Sequence, residues 1–516
     1  MKKNTALFLV LFMALILCAC TSNKAAINNA TPVPTQLVIG KTDKTITIAE
    51  SFAYPSLDVH KDYYGWFTSI YGLSETLFKM DDQSNAQPWL AQSAKQDGNT
   101  WTITLADGIC FSNGKTVTAD MAVKNLRRAA AENERFAYLS EFDIKTTDEK
   151  TITIKTPDVY PTMRNDLASP ELGIMDLDNT SDFDNAPVCT GPFAISSFEP
   201  EGTVKVVRNE KYWNGEVRLA GATFLYMQDD DSKQMAMQNG EIDGYTSVTA
   251  AALETYQADP DTYKITILPA SRLQFYALNE NKLDASIREA INLTVNKNTI
   301  AKYLNGTVSA ATGPFGTATG YGKASVPAVD TVKAKTLLEE DGYTLNSRGI
   351  YEKEGKPISL NICYYAARSL DTLATLMQEQ LKAVGIDSKL TCEEDPDGTY
   401  ISTGDFDIAL YCMIADKAGD PYYFIDSVLR QESRWAIAGF HNEDCEKLIN
   451  KLEYESDTIK RAELANQIVQ STIDDNAFGY VGLFNKITVL RKGVSGYSET
   501  CPFDFYGINA NSSKIS

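Results

Sequence analysis

Apolar and polar positions change period repeatedly along this chain, and each change marks an element. Thr45–Ile48 alternates as a strand does, whereas Ser69–Phe78 sets Ile70, Leu73, Leu77 and Phe78 on one stripe of helical spacing. Thr100–Leu105 alternates again before a Ser112-Asn113-Gly114 turn, and so does Lys150–Lys155. Between these strands, Thr118–Ala131 opens on a threonine in capping position and carries Met121, Val123, Leu126 and Ala129 or Ala130 at helical spacing. Val332–Asp341 and Leu370–Val384 read as amphipathic helices; Gly385 ends the second, and a strand follows at Ser388–Thr391. Gly240 and Gly342 stand where a helix ends in the left-handed conformation that glycine reaches without a clash. From Thr190 to Trp213, Gly191-Pro192 turns into a strand, Val204 and Val206 alternate, and Tyr212 and Trp213 pack the next corner. Strand and helix interleave throughout, which predicts an α/β fold whose open sheet carries helices on its faces.

The first twenty residues break this pattern. Lys2 and Lys3, an apolar run from Ala6 to Leu17 and small residues after it have the layout of a secretory signal, too short to span a bilayer comfortably. Leu17-Cys18-Ala19-Cys20 resembles the bacterial lipobox, which implies a diacylglyceryl thioether on Cys20 and cleavage just before it; an ordinary signal peptide or a single anchor helix is the alternative. Residues 21–40 then form a polar, breaker-rich tether. The expected product is a folded body held outside the cytoplasm by a lipid anchor.

Composition narrows what that body does. With 516 residues, 43% of them apolar, the chain has length for two or three domains and a large core. A net charge of −20 argues against nucleic acid and against docking on an anionic membrane surface. Apart from Cys18 and Cys20, the cysteines are Cys110, Cys189, Cys363, Cys392, Cys412, Cys445 and Cys501, odd in number and irregular in spacing, so neither a disulfide framework nor a metal clasp is readable. The two histidines, His60 and His441, lie far apart and suit surface or packing roles. Gly40-Lys41-Thr42 and Gly114-Lys115-Thr116 lack the earlier glycine of a phosphate loop. Asp229–Asp231 and Glu393–Asp395 lack the spacing of a calcium loop. No catalytic motif, resident metal or cofactor is expected, and the chain is read as a binding protein rather than an enzyme.

A series of short motifs in fixed order is more telling. The chain has PWLA at Pro88–Ala91, DGNTWTITLADGICFSNGKTVTAD at Asp97–Asp120, TGPF at Thr190–Phe193, VVRNEKYWNG at Val206–Gly215 and NGEID at Asn239–Asp243. It continues with IREAINLTVNKNTI at Ile287–Ile300, AKTLLEEDGY at Ala334–Tyr343, LKAVGI at Leu381–Ile386, FDIAL at Phe406–Leu410 and GDP at Gly419–Pro421. From about Thr45 onward the sequence resembles the family 5 solute-binding proteins of ABC importers, which bind oligopeptides, dipeptides or nickel; Ala106 departs from the basic residue usual there. The resemblance implies a two-lobed periplasmic-binding-protein-like fold (class II, the large peptide-binding type). Lobe I would comprise 41–274 plus 480–516, with a subdomain inserted at about 79–180, and lobe II would comprise 275–479. The lobes would be joined by crossings near Leu273–Leu278 and Gly479–Leu483.

The resemblance also implies partners and site residues. The chain would act as a monomer, capturing a small ligand by hinge closure and delivering it to an ABC permease driven by a separate ATPase. A ligand-sensing lipoprotein is the reading from another class. In peptide-binding members an aspartate just before a GDP-like turn holds the peptide ammonium; Asp416 is the implied residue, one position further from Asp420 than the family spacing. Tyr422 and Tyr423 would form pocket walls, with a core role as the alternative for either. The nickel-binding branch is the rival: ERFAYL at Glu134–Leu139 resembles its ligand segment and places Arg135 and Tyr138 in the pocket, where an arginine fork suits the carboxylates of a chelate. Glu171, in LASPELG, stands where a second pocket arginine would be, and beside Asp416 it would favour a cationic ligand. The reading therefore leans to peptides.

Overall fold

In the computed structural model, which describes residues 40–416 and 418–515, an 11-stranded sheet runs through the molecule. The leader, Cys20 and all but the last residue of the tether lie outside the described residues. Across the sheet the strands come in the order Asp387–Cys392, Ser359–Tyr364, Ile408–Ile414, Tyr263–Leu278, Phe478–Arg491, Gly244–Thr246, Thr45–Glu50, Gly221–Tyr226, Val204–Arg208 and Phe193–Phe198. Val308–Ala310 adds to the flank of Phe478–Arg491. Thr45–Glu50 is parallel to both of its neighbours, and so is Ser359–Tyr364; the other pairs are antiparallel.

Two strands stand out by length: Tyr263–Leu278 has 16 residues and Phe478–Arg491 has 14. They pair with each other from Tyr263 opposite Arg491 to Ala277 opposite Phe478, with a break between Pro269 and Leu273. Proline has no N–H to give to a ladder, so a break that begins at Pro269 has a local cause. Before the break the neighbour is Gly244–Thr246, paired with Thr488–Leu490; beyond it the neighbour is Ile408–Ile414, paired with Arg272–Leu278. The segments Leu273–Leu278 and Gly479–Leu483 are the far ends of these strands, paired to one another.

Cores lie on either side of the break. In the first half Ile46, Ile48, Val206 and Phe224 pack with Tyr71 and Leu490. In the second, Phe275, Phe424, Trp435 and Tyr480 form one cluster, and Leu360, Ile362, Leu373 and Met377 form another beneath the helix Leu370–Ala383. A separate four-stranded antiparallel sheet, ordered Ala91–Asp97, Thr100–Leu105, Thr151–Lys155, Asp143–Thr146, packs Ile103 and Ile152 against Leu126 of the helix Ala119–Glu132. The C-terminal stretch returns to the first half, where the Tyr497 hydroxyl donates to buried Glu50 (2.7 Å) and the Tyr506 hydroxyl accepts from Met80 N–H (2.8 Å).

Most sequence patterns reappear. Thr118 caps the helix Ala119–Glu132, its side chain accepting from the Met121 amide, and the two later helices occupy Thr331–Glu340 and Leu370–Ala383. Gly240 and Gly342 both take positive φ, 79° and 90°. The seven cysteines are free thiols. One expectation fails: Ser69–Phe78 is not a helix. The helix occupies Tyr64–Ile70, and Gly72, at φ 67° and pressed against Phe193, turns the chain toward the strand Phe78–Met80. Ile70, Leu73, Leu77 and Phe78 are all buried, so the stripe reported burial and not helical period. No helix among the described residues is long and apolar enough to cross a membrane.

His60 has a packing role. It is fully buried, its Nε2 3.0 Å from the Gly173 carbonyl and its Nδ1 3.0 Å from an Arg128 nitrogen, and burial lowers its pKa to about 4. Arg128 also grips fully buried Asp58 through two bonds of 2.8 and 2.7 Å, tying the segment after the first strand to the helix Ala119–Glu132. Removing one partner of a buried pair leaves the other charge uncompensated, so Arg128→Ala is expected to cost about 3–5 kcal/mol in urea unfolding. A loss no larger than that of an ordinary surface substitution would refute this assignment.

Candidate functional site

The first and second halves also meet away from the long strands, through the loop at 416–421. Ala418 is buried among the apolar residues of the four-stranded subdomain, and its carbonyl accepts from Asn165 Nδ2 at 2.7 Å. Ala418 and Gly419 both adopt positive φ, 49° and 77°. A Cβ on Gly419 would lie 1.9 Å from the Ser84 carbonyl oxygen, so only glycine allows this approach. Beside the contact, a cavity of about 570 Å³ opens between the halves, lined among others by Asn85, Arg164, Tyr321, Arg461 and Asn466.

Asp416 lies inside this loop. One carboxylate oxygen accepts from the Tyr321 hydroxyl (2.8 Å) and the other from the Gly419 amide (2.9 Å). The residue is 4% exposed, and burial raises its pKa to about 6. Asp420, four residues on, is held by the Arg461 guanidinium at 2.7 and 2.9 Å and accepts from the Tyr422 amide, so both acids of the turn are tied within the second half.

The other residues singled out from the sequence fall into separate bonded groups. Arg135 Nη1 donates to Glu171 Oε1 at 2.9 Å, and its guanidinium lies 4.4 Å from the centre of the Tyr63 ring. Glu171 is buried, so its charge is met by Arg135 in place, and the case for a cationic ligand drawn from Glu171 loses its basis. The Tyr138 and Tyr160 hydroxyls both donate to one oxygen of Asp166, each at 2.6 Å. Asp166 adjoins Asn165, which brings Tyr138 near the contact between halves. The Tyr422 hydroxyl donates to Asp426 (3.1 Å) and accepts from Arg430 (3.0 Å). Sequence reasoning did not find Asn165, Ser84 or Tyr321; each is an ordinary polar residue far from Gly419 in the chain, and only the folded contact marks it.

Residues 85–434 match the bacterial extracellular solute-binding proteins, family 5, in their middle portion. The chain is 26% identical over 435 residues to the nickel-binding protein NikA of Staphylococcus aureus, covering 83% of this chain and 87% of that one. It is 22% identical over 547 residues to the oligopeptide-binding protein AppA of Bacillus subtilis, covering 98% of each. The solved structure of a nickel ABC transporter protein from Bacillus halodurans superposes with a TM-score of 0.84 at 26% identity, covering 91% of this chain and all of that one. A sheet shared between two halves, with a cleft closed by a loop, is the architecture of a periplasmic-binding-type receptor for small solutes. The chain belongs to the family 5 solute-binding proteins of ABC importers.

Two outcomes follow for the loop. Gly419→Ala adds strain of about 1–3 kcal/mol at positive φ on top of the collision with Ser84, and is expected to enlarge the radius of gyration measured by small-angle scattering. An unchanged radius would show that the loop does not hold the halves together. Asp416 carries a pKa of about 6 in the folded state, above the roughly 3.9 of an unfolded aspartate, so the folded state binds its proton more tightly. Stability of the wild type relative to Asp416→Asn should therefore fall as the pH rises from about 4 to 7 in urea titrations. A flat or rising difference would contradict the burial argument.

Proposed function

We propose that this chain captures a small charged organic solute between its two halves and presents the closed form to a membrane permease driven by a separate ATPase. The observation that carries this reading is the pairing of a hinge with a catch: two long strands join the halves, and the Gly419 loop seats on Ser84 and Asn165 beside an open cavity. A solute touching both halves binds the closed form better, and that differential affinity shifts the population. The lobes are taken as 41–274 with 480–516, and 275–479, consistent with the separate cores on either side of the strand break. The basic, apolar and small-residue leader supports export and lipidation at Cys20, with the body held at the outer face of the cell membrane as a monomer.

For the solute, a short peptide is the first reading, supported by likeness to an oligopeptide-binding protein along nearly the whole chain. A nickel chelate is the second. It is favoured by the likeness to nickel-binding proteins and by the Arg135–Glu171 pair, which removes the negative charge that spoke against an anionic chelate. Among the described residues no three His, Cys, Asp or Glu side chains converge, so a metal would have to arrive already chelated. Native mass spectrometry of the protein purified without refolding, followed by denaturing and elemental analysis, tests both. Short peptides in stoichiometric amount are the expected result; nickel with a small organic ligand would replace the first reading by the second.

A further inference from the structure

The cavity beside the Gly419 loop has one wall from each half, and the two attachments of the loop fix where those walls lie. On the first half Asn165, which donates to the Ala418 carbonyl, belongs to the short helix Met163–Asp166, and the residue before it is Arg164. On the second half Arg461, which grips Asp420, belongs to the helix Thr458–Asp474, and Glu463 follows two residues later. Ile459, Ala462, Glu463 and Asn466 recur at intervals of three and four and so share one face of that helix, and all four line the cavity together with Arg164.

Most polar groups on these walls already have partners. Gln87 Nε2 donates to Asp81 (2.9 Å), Asn466 Nδ2 donates to the Gly320 carbonyl (3.0 Å), and Asp420 and Arg461 hold each other. Arg164 and Glu463 are the exceptions. Neither side chain makes a hydrogen bond or ion pair with any described residue; Arg164 is half-buried, and Glu463 is exposed. One half thus contributes an unpaired cation and the other an unpaired anion to the same cavity, away from the long strands, where a rotation about them moves the walls most. A guanidinium meets a carboxylate through two parallel N–H bonds, and both of these groups have that capacity unused.

We propose that Arg164 and Glu463 form an ion pair when the cavity narrows, a bond between the halves that favours the closed form. They are positioning residues for capture and touch no solute. The gain is small, as for other pairs near water, but it acts directly on the balance between open and closed forms. This rests on the solute-capture reading above for the motion of the halves, and adds the residues that set how readily they close.

The test measures the distance between nitroxide labels on the exposed Cys392 thiol of the second half and on Lys95→Cys in the first, by pulsed electron resonance in frozen solution. Wild-type protein is expected to show a closed population that shrinks as salt is raised from about 0.01 to 1 M, over which the screening length falls from roughly 30 to 3 Å. Arg164→Glu and Glu463→Arg should each lower the closed-to-open ratio about two- to fivefold at low salt, the range for an exposed ion pair. The double variant should regain most of that loss, a rescue that a merely structural role for either residue would not give. Near-UV circular dichroism reports folding; should a reversal not fold, Arg164→Gln and Glu463→Gln should each abolish the salt response. A double variant no nearer wild type than the singles, or a salt response kept by the neutral variants, overturns this inference. Populations that respond to a tryptic casein digest or to nickel(II) with L-histidine, but not to these charge changes, overturn it and leave solute capture standing. A single distance, unchanged by either solute and in every variant, overturns both.

Discussion

Everything else in this molecule is arranged around one hydrogen-bonded ladder, the antiparallel pair Tyr263–Leu278 and Phe478–Arg491. Both strands belong to the sheet of each half, so the halves share a continuous backbone connection. A ladder resists shear along the strands and separation across them but tolerates twist and bending where its bonds are missing. The missing bonds fall between Pro269 and Leu273. The register shifts again between Gln274 and Phe275, so the ladder is weakest over this short stretch.

The second contact limits how far that motion runs. At the Gly419 loop, Gly419 lies against the Ser84 carbonyl and the Met80 side chain while Asn165 holds the Ala418 carbonyl, and Asp416 and Asp420 spend their carboxylates on organising the loop. Acids that serve a turn in this way are poorly placed to serve a ligand as well. Arg135 and Glu171 cancel each other in the same fashion. Arg164, by contrast, lines the cavity beside the loop.

The sequence showed the fold better than the site. Alternation at Thr100–Leu105 and helical spacing at Thr118–Ala131 report which face is buried, and burial is what the sheet and helix then supply. The stripe at Ser69–Phe78 misled because four apolar residues at helical spacing are equally buried along a turn, and Gly72, which decides the matter, does so through a contact with distant Phe193. Site residues were legible as types but not as partnerships. Nothing in the local sequence says that Glu171 will be met by Arg135, that Tyr138 will share Asp166 with Tyr160, or that Asp416 will be capped by Tyr321.

The return of the C-terminal stretch to the first half bears on the timing of folding. Glu50, Trp66 and Met80 receive their hydrogen-bond partners from Tyr497, Asp504 and Tyr506, more than 400 residues later in the chain. Domains usually fold in order of emergence from the ribosome. Here the part made first cannot be completed until the part made last has arrived, and the second half must fold between them. A nascent chain built this way leaves these three bonds of its first half unmade until its last residues emerge.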